Sequence, residues 1–136
     1  MSKLPMIARI LLGLIFVVFG LNGFFNFLPM PPMPEAAGAF LGGLGGSGYF
    51  FPMLKGTEVL CGLALLSGGF VPLALIVLAP IILNIFMFHA FLAPSGLALP
   101  IVIGLLEIYL AFFASPYKEV VKQIFRCPKF EALKSK

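Results

Sequence analysis

Four long apolar segments, each bounded by proline or glycine, run through the chain. They cover residues 6–28, 50–70, 72–93 and 97–115. Each is close to the roughly 20 residues with which an α-helix crosses a hydrocarbon core of about 30 Å. In that core every backbone N–H and C=O must find its partner within the chain, and a helix provides it. The pattern therefore predicts an all-α, integral membrane four-helix bundle.

Residues that break helices lie between these segments. Gly68 and Gly69 end the second segment, and residues 94–96 separate the third from the fourth. Pro80 lies inside the third segment. A proline there removes one helical hydrogen bond, so we expect a kink rather than an end. The first segment is followed by a cluster of prolines: Pro29, Pro31, Pro32 and Pro34.

Composition excludes a soluble domain. Hydrophobic residues make up 61% of the chain and charged residues only 10%, whereas about 25% of the residues of a soluble domain are charged. The basic residues gather at the two ends rather than on one face, so we expect no nucleic-acid binding. Because basic residues stay on the cytoplasmic side of a membrane, we expect both termini to be cytoplasmic. The predicted location is the plasma (inner) membrane of a bacterium.

The chain divides into a membrane domain, residues 1–116, and a basic cytoplasmic tail, residues 117–136. In the tail, Lys118, Lys122 and Arg126 recur every four residues. Apolar residues occupy the other side, and this predicts a short amphipathic helix on the anionic leaflet, ending before Pro128. The alternative is that the fourth span continues into water.

Polar side chains within the segments gather in the outer half of the predicted bundle. With a rise of about 1.5 Å per residue, Glu58 lies about 10 Å below the outer start of the second segment. Lys55 is one turn above it, close enough to pair. His89 lies about 6 Å below the outer end of the third segment. Asn22 and Asn26 share one face of the first segment, about 9 and 3 Å below its outer end.

Two interpretations of this outer polar cluster compete. In the first, its members are interhelical hydrogen-bond partners that fix the bundle. In the second, Glu58 and His89 are catalytic residues that protonate a quinone-like head group or pass a proton. Lys55, Asn22 and Asn26 would then bind the same ligand. A second, deeper pair comprises Asn84 and Glu107, both about 14 to 15 Å from the outer surface, so we expect them to meet near the midplane.

The segment between the first two spans contains Gly43-Leu44-Gly45-Gly46-Ser47-Gly48, which matches the G-x-G-x-x-G nucleotide fingerprint. That fingerprint requires a preceding strand and an acidic residue about 20 positions later. Neither is present, so we expect no nucleotide binding. A different spacing is informative: Gly38, Gly42 and Gly46 recur every four residues. We expect a short extracytoplasmic helix over 35–46, packed closely through these glycines as a lid over the Glu58/His89 cluster.

The two cysteines do not form a C-x-x-C motif, and we expect no disulfide. We interpret Cys61 as a small packing residue. One histidine cannot form a multi-histidine site, so we expect no metal.

Three stretches carry a resemblance to a known family. They are ARILLGLIFVVFGLNGF (8–24), KGTEVLCGLALLSGG (55–69) and NIFMFHAF (84–91). Together they resemble the DoxX family of small four-helix membrane proteins. The family's glutamate and following glycine are matched by Glu58 and Gly62, and its histidine by His89. The resemblance extends to about Ser115.

The resemblance implies a membrane subunit linked to an oxidoreductase system. Some relatives are associated with thiosulfate-to-quinone electron transfer, and others with oxidative-stress complexes. The chain carries neither a redox metal motif nor a cysteine pair, so a bound quinone or a partner subunit is expected to take part. Two alternatives are a non-enzymatic membrane adaptor that recruits a partner, and a pathway for protons or small solutes.

Overall fold

The computed structural model describes residues 3–28 and 32–134, so that Pro29 and Pro31 of the predicted breaker lie outside the described residues. The described chain is helical and contains no strand. A 3₁₀ turn precedes the fifth helix at Pro94–Gly96, and a π turn continues it over Tyr109–Phe113. The helices are α1 (Leu4–Phe25), α2 (Glu35–Gly45), α3 (Phe50–Ser67), α4 (Val71–Phe91), α5 (Ala98–Ile108), α6 (Tyr117–Ile124) and α7 (Pro128–Lys134).

The four predicted apolar segments correspond to α1, α3, α4 and α5 with its π turn. The first ends earlier than predicted, at Phe25, because Asn26 adopts the left-handed conformation with φ of 51°. α4 continues through Pro80, as predicted. α1, α3 and α4 are long and apolar enough to cross a membrane, and α5 makes a fourth span if its continuation into α6 is counted with it. The chain is thus a multi-pass membrane protein.

α1 and α3 form the most extensive helix pair in the described structure. They are antiparallel, since Gly13 lies against Gly62 and Gly20 against Val59. A methyl group on Gly13 would lie 2.8 Å from the carbonyl oxygen of Gly62, and one on Gly20 would lie 2.7 Å from Val59 Cγ2. Such distances are shorter than any real Cβ contact. Glycine is therefore what allows these two backbones to approach.

Arg9 of α1 caps the last turn of α3. Its Nη1 donates to the carbonyl oxygens of Leu65 and Leu66, at 2.5 and 3.0 Å. Those carbonyls lack helical partners at a helix end, and a cation there also offsets the negative end of the helix dipole. Gly68 then ends the helix with φ of 83°. We call this side of the bundle the Arg9 end and the opposite side the α2 end.

α4 joins the two halves of the bundle, because it contacts α3 on one side and α5 on the other. Large apolar side chains fill the space between these helices. Those with the least exposure are Leu12, Phe16, Leu65, Val71, Leu75, Leu78 and Leu110.

α6 leaves the direction of α5 at the Arg9 end. The bend between residues 98–113 and α6 is 87°, so the alternative of a straight continuation of the fourth span is wrong. Val121 is buried at 4% exposure, and the rings of Phe112 and Phe125 lie 5.9 Å apart. The amphipathic tail helix is thus docked on the bundle through its apolar side. α7 was not predicted; Glu131 within it pairs with Arg126 at 2.8 Å.

α2 matches the predicted helix within one residue, but its glycines do not pack as expected. A methyl group on Gly38 or Gly42 would meet nothing within 4 Å among the described residues. α2 is held instead through Ala37, which is fully buried, and Phe40, whose ring lies 5.8 Å from that of Phe88. Glycine-mediated packing was therefore assigned to the wrong helix.

Candidate functional site

Lys55 and Glu58 form the predicted pair on α3. Lys55 Nζ lies 3.3 Å from Glu58 Oε2, and the glutamate side chain is 3% exposed against 25% for the lysine. Glu58 Oε2 accepts no hydrogen bond of suitable geometry. The contact between Lys55 and Glu58 is therefore an ion pair without a well-formed hydrogen bond. Gly23 of α1 lies against the stem of Lys55 and leaves room for it. The pair is built into the α1–α3 interface.

Asn22 and Asn26 organise the end of α1. Asn22 Oδ1 accepts a hydrogen bond from the Leu28 amide at 2.7 Å, and the Asn26 amide donates to the Asn22 carbonyl at 2.8 Å. Within the described residues, neither side chain is hydrogen-bonded to Lys55 or Glu58. Their observed contacts are those of a helix cap.

His89 is hydrogen-bonded within its own helix. Its Nδ1 is 2.8 Å from the carbonyl oxygen of Ile85. A carbonyl can only accept, so Nδ1 carries the proton of this bond. The ring lies against Gly96, where a methyl group would be 2.8 Å from His89 Cδ2. No ion pair or hydrogen bond joins His89 to the Lys55–Glu58 pair in the part of the chain described, and a site shared by Glu58 and His89 stays a prediction.

Glu107 lies in the wall of an apolar groove. Its exposure is 8%, and Oε1 is buried without a hydrogen-bond partner. The groove runs between α4 and α5 and encloses about 400 Å³. Besides Glu107 its lining is apolar and includes two aromatic rings; the residues are Ala79, Ile82, Leu83, Phe86, Pro100, Ile101, Gly104, Leu105, Ile108 and Phe112.

A second, smaller chamber of about 170 Å³ adjoins this groove towards the Arg9 end. Ala79, Glu107 and Phe112 line both spaces. The tail helix closes the smaller chamber, since Val121 and Ile124 are part of its wall. Glu107 therefore stands where the groove and the chamber meet.

Pro80 adds a second polar group to the same region. Proline has no N–H, so the carbonyl of Ile76 lacks its helical donor four residues later. Ile76 lines the smaller chamber with Glu107. An apolar space whose lining includes one buried carboxyl group suits a ligand with few polar atoms and a large apolar surface.

The predicted meeting of Asn84 and Glu107 is wrong. Asn84 lies in a different groove, between α3 and α4, together with Thr57 and Ile81. The positions of α4 that line the Glu107 groove, Leu83 and Phe86, are on another side of the helix. The direction of these side chains around their helix axes is what the prediction missed.

Cys61 lies within electrostatic range of both buried carboxyls, Glu58 and Glu107. Its thiol is free and buried, and that of Cys127 is free and exposed. Over the described residues, no group of three or more histidine, cysteine or acidic side chains is arranged to hold a metal ion.

Sequence reasoning noted Glu107 but did not recognise its groove. One signal was available: Glu107 is the sole charged residue between residues 97 and 115, and an ionisable residue in such a segment is by default a candidate functional residue. What the sequence lacked was the shape of the surrounding surface.

Comparison with known proteins supports the resemblance noted in the sequence. A family model described as DoxX matches residues 4–90, which is more than half of the chain. The match covers α1 to α4 and includes Glu58 and His89, whereas Glu107 on α5 lies beyond it. Neither a curated protein nor a solved structure is significantly similar to the chain. The four helices at their predicted positions and the family match together establish that this chain belongs to the DoxX family.

Proposed function

We propose that this chain binds a quinone-like lipophilic ring in the α4–α5 groove and serves as an accessory subunit of a membrane oxidoreductase. We further propose that it lies in the plasma membrane with both termini cytoplasmic. In support of this orientation, Arg9 and the lysines of α6 share one end of the bundle. The observation that carries the binding proposal is Glu107, a buried carboxyl without a partner in an apolar groove.

The groove has the size and chemistry for such a ligand. Its volume of about 400 Å³ falls within the range of roughly 300–1,000 Å³ common for small-molecule sites. Phe86 and Phe112 offer ring faces and edges to an aromatic head group. The carboxyl of Glu107 can form a hydrogen bond with a ring carbonyl or hydroxyl, and the Ile76 carbonyl can accept from a hydroxyl. A bilayer-soluble ligand reaches the groove from its lipid-facing side.

The stability of Glu107 variants distinguishes a ligand-binding role of this carboxyl from a role in holding the bundle together. Burying a polar group without a hydrogen bond costs roughly 1–3 kcal/mol. Replacement of Glu107 by Leu is therefore expected to raise the stability of the ligand-free protein while it removes the polar contact to the ligand. A carboxyl that held the bundle together would instead lower stability when replaced.

Binding is measured with a fluorescent reporter at the rim of the groove. The chain contains no tryptophan, so Leu83→Trp introduces a single indole, and decylubiquinone quenches indole fluorescence on contact. The control reporter is Leu60→Trp, at an exposed position of α3 that does not line the groove. In lipid nanodiscs we expect saturable quenching of the first reporter and only linear, partition-driven quenching of the second.

The decisive variants carry the Leu83→Trp reporter. Loss of one hydrogen bond of about 1.4 kcal/mol predicts a roughly tenfold weaker affinity in Glu107→Leu. Glu107→Gln keeps hydrogen-bonding atoms, so its ligand affinity is expected to lie between those of the unchanged protein and Glu107→Leu. Glu58→Gln is expected to bind normally. Unchanged affinity in Glu107→Leu, or a loss seen in Glu58→Gln instead, would overturn the assignment and favour the Lys55–Glu58 pair.

A further inference from the structure

Asn84 is a polar side chain on the outer surface of α4, a helix that is otherwise apolar enough to cross a membrane. It is exposed in the isolated chain and lies seven residues from the end of α4, about 10 Å into the membrane by helical rise. Within the described residues its carboxamide forms no hydrogen bond, either with Glu107 or with Thr57, whose hydroxyl donates to the Met53 carbonyl at 2.8 Å.

An unpaired carboxamide at this depth is costly. Transfer of an amide from water into a medium without hydrogen bonds costs several kcal/mol. Polar residues within spans accordingly face protein rather than lipid. Asn84 does not face the interior of its own bundle, so protein from outside the bundle is the remaining partner.

We infer that the α3–α4 groove containing Asn84 is the contact surface of a homodimer, in which Asn84 of one copy bonds to Asn84 of the other. A carboxamide carries both a donor and an acceptor, so it is complementary to itself. In a two-fold interface a residue close to the axis meets its own symmetry mate, and this position suits a single isolated carboxamide. A different subunit would have to supply a matching polar group at the same depth.

The groove around Asn84 suits contact with a second copy of the chain. The groove encloses about 360 Å³, and its walls are apolar apart from Thr57; the lining residues are Phe50, Met53, Leu54, Pro80, Ile81 and Ile85. The Glu107 groove is on another side of α4, so dimerisation leaves it accessible to lipid.

Association of the chain with itself can be measured without introducing a new cysteine for labelling. Cys127 is exposed and Cys61 is buried, so a maleimide dye labels Cys127 selectively. Energy transfer between donor- and acceptor-labelled copies in lipid vesicles, followed as the protein-to-lipid ratio falls, gives the dimer dissociation constant.

Interhelical hydrogen bonds in membranes predict that Asn84→Leu weakens the dimer about three- to thirtyfold. Asn84→Gln keeps a carboxamide and is expected to retain association, which separates hydrogen bonding from packing. Leu105→Ala on the far side of the bundle is the matched control and is expected to dimerise normally.

A second measurement locates the interface. With Cys127 replaced by Ser, Thr57→Cys is expected to form a disulfide-linked dimer under mild oxidation, whereas Leu105→Cys is not. The proposal is overturned if the unchanged protein remains monomeric at all protein-to-lipid ratios, if Asn84→Leu associates normally, or if only Leu105→Cys cross-links.

Discussion

The close contact between α1 and α3 makes Gly62→Ala a sharp test of the fold. A methyl group on Gly62 would lie 2.7 Å from Val17 Cγ2, 2.8 Å from the Gly13 carbonyl oxygen and 2.9 Å from the Val17 amide nitrogen. Two of these three atoms are backbone, so a change of rotamer cannot relieve the clash. The helices must move apart, which loosens contacts along the whole pair.

The size of the effect follows from comparison with Gly56→Ala. Gly56 lies on the same helix, and a methyl group there would meet nothing within 4 Å. Both changes gain the helix propensity of alanine over glycine, about 1 kcal/mol, so this gain cancels in the difference. What remains is the cost of overpacking, about 1–3 kcal/mol. For a chain of this length that corresponds to a melting temperature lower by about 3–10 °C.

Cys61 provides the assay. Its thiol is buried on α3 and is expected to become reactive when the helices around it separate. With Cys127 replaced by Ser, a thiol-reactive fluorogenic dye reports unfolding of this pair during a thermal ramp in detergent. Gly42→Leu on α2 is a second control and is expected to melt no lower than the unchanged protein, since a methyl group there meets nothing and leucine favours a helix more than glycine does. If Gly62→Ala melted no lower than Gly56→Ala, the close approach of α1 and α3 would be refuted.

Two further predictions concern the Arg9 end of the bundle. Arg9→Ala removes charge-assisted hydrogen bonds to Leu65 and Leu66 and is expected to lower stability by about 2 kcal/mol in the same thermal assay. The control is Arg126→Ala, at an exposed ion pair, which should change the melting temperature little. Equal effects of the two changes would contradict the capping role of Arg9. The hydrogen bond from Ser115 at 2.9 Å lowers the pKa of Glu119 below its ordinary value of 4.5. A lowered pKa adds stability that is present above the ordinary value and is lost as the pH falls through the folded value. Ser115→Ala should therefore raise the Glu119 pKa measured by NMR titration, and an unchanged pKa would show that the hydrogen bond has no effect.

Local features were predictable from the sequence because they depend on neighbours along the chain. The Lys55–Glu58 pair is an i, i+3 contact on one helix, and spacing alone brings such residues together. α2 was predicted from the prolines before it and the turn after it. The side of α2 that packs was predicted wrongly, since its glycine face and its Ala37–Phe40 face are equally plausible from spacing.

Contacts between helices were predicted poorly, and the Glu107 groove shows why. Sequence position and helical rise placed Asn84 and Glu107 at one depth, which is the coordinate along the helix axis. Whether they meet depends on rotation about that axis. In a soluble protein, the polar side of a helix indicates its rotation. In a membrane the lipid-facing and core-facing sides are both apolar, so that indicator is weak.

The sequence by itself determined the class of the protein, the positions of its spans and the amphipathic tail, because hydrocarbon requires long apolar helices and leaves breakers and charges at their ends. The tertiary structure alone decided which glycines bring helices together, that Glu107 lines an apolar groove and that Asn84 faces outward. Each of these depends on the rotation and spacing of packed helices, which short-range van der Waals contacts set. An apolar sequence, compatible with lipid and with protein on every side, does not specify them.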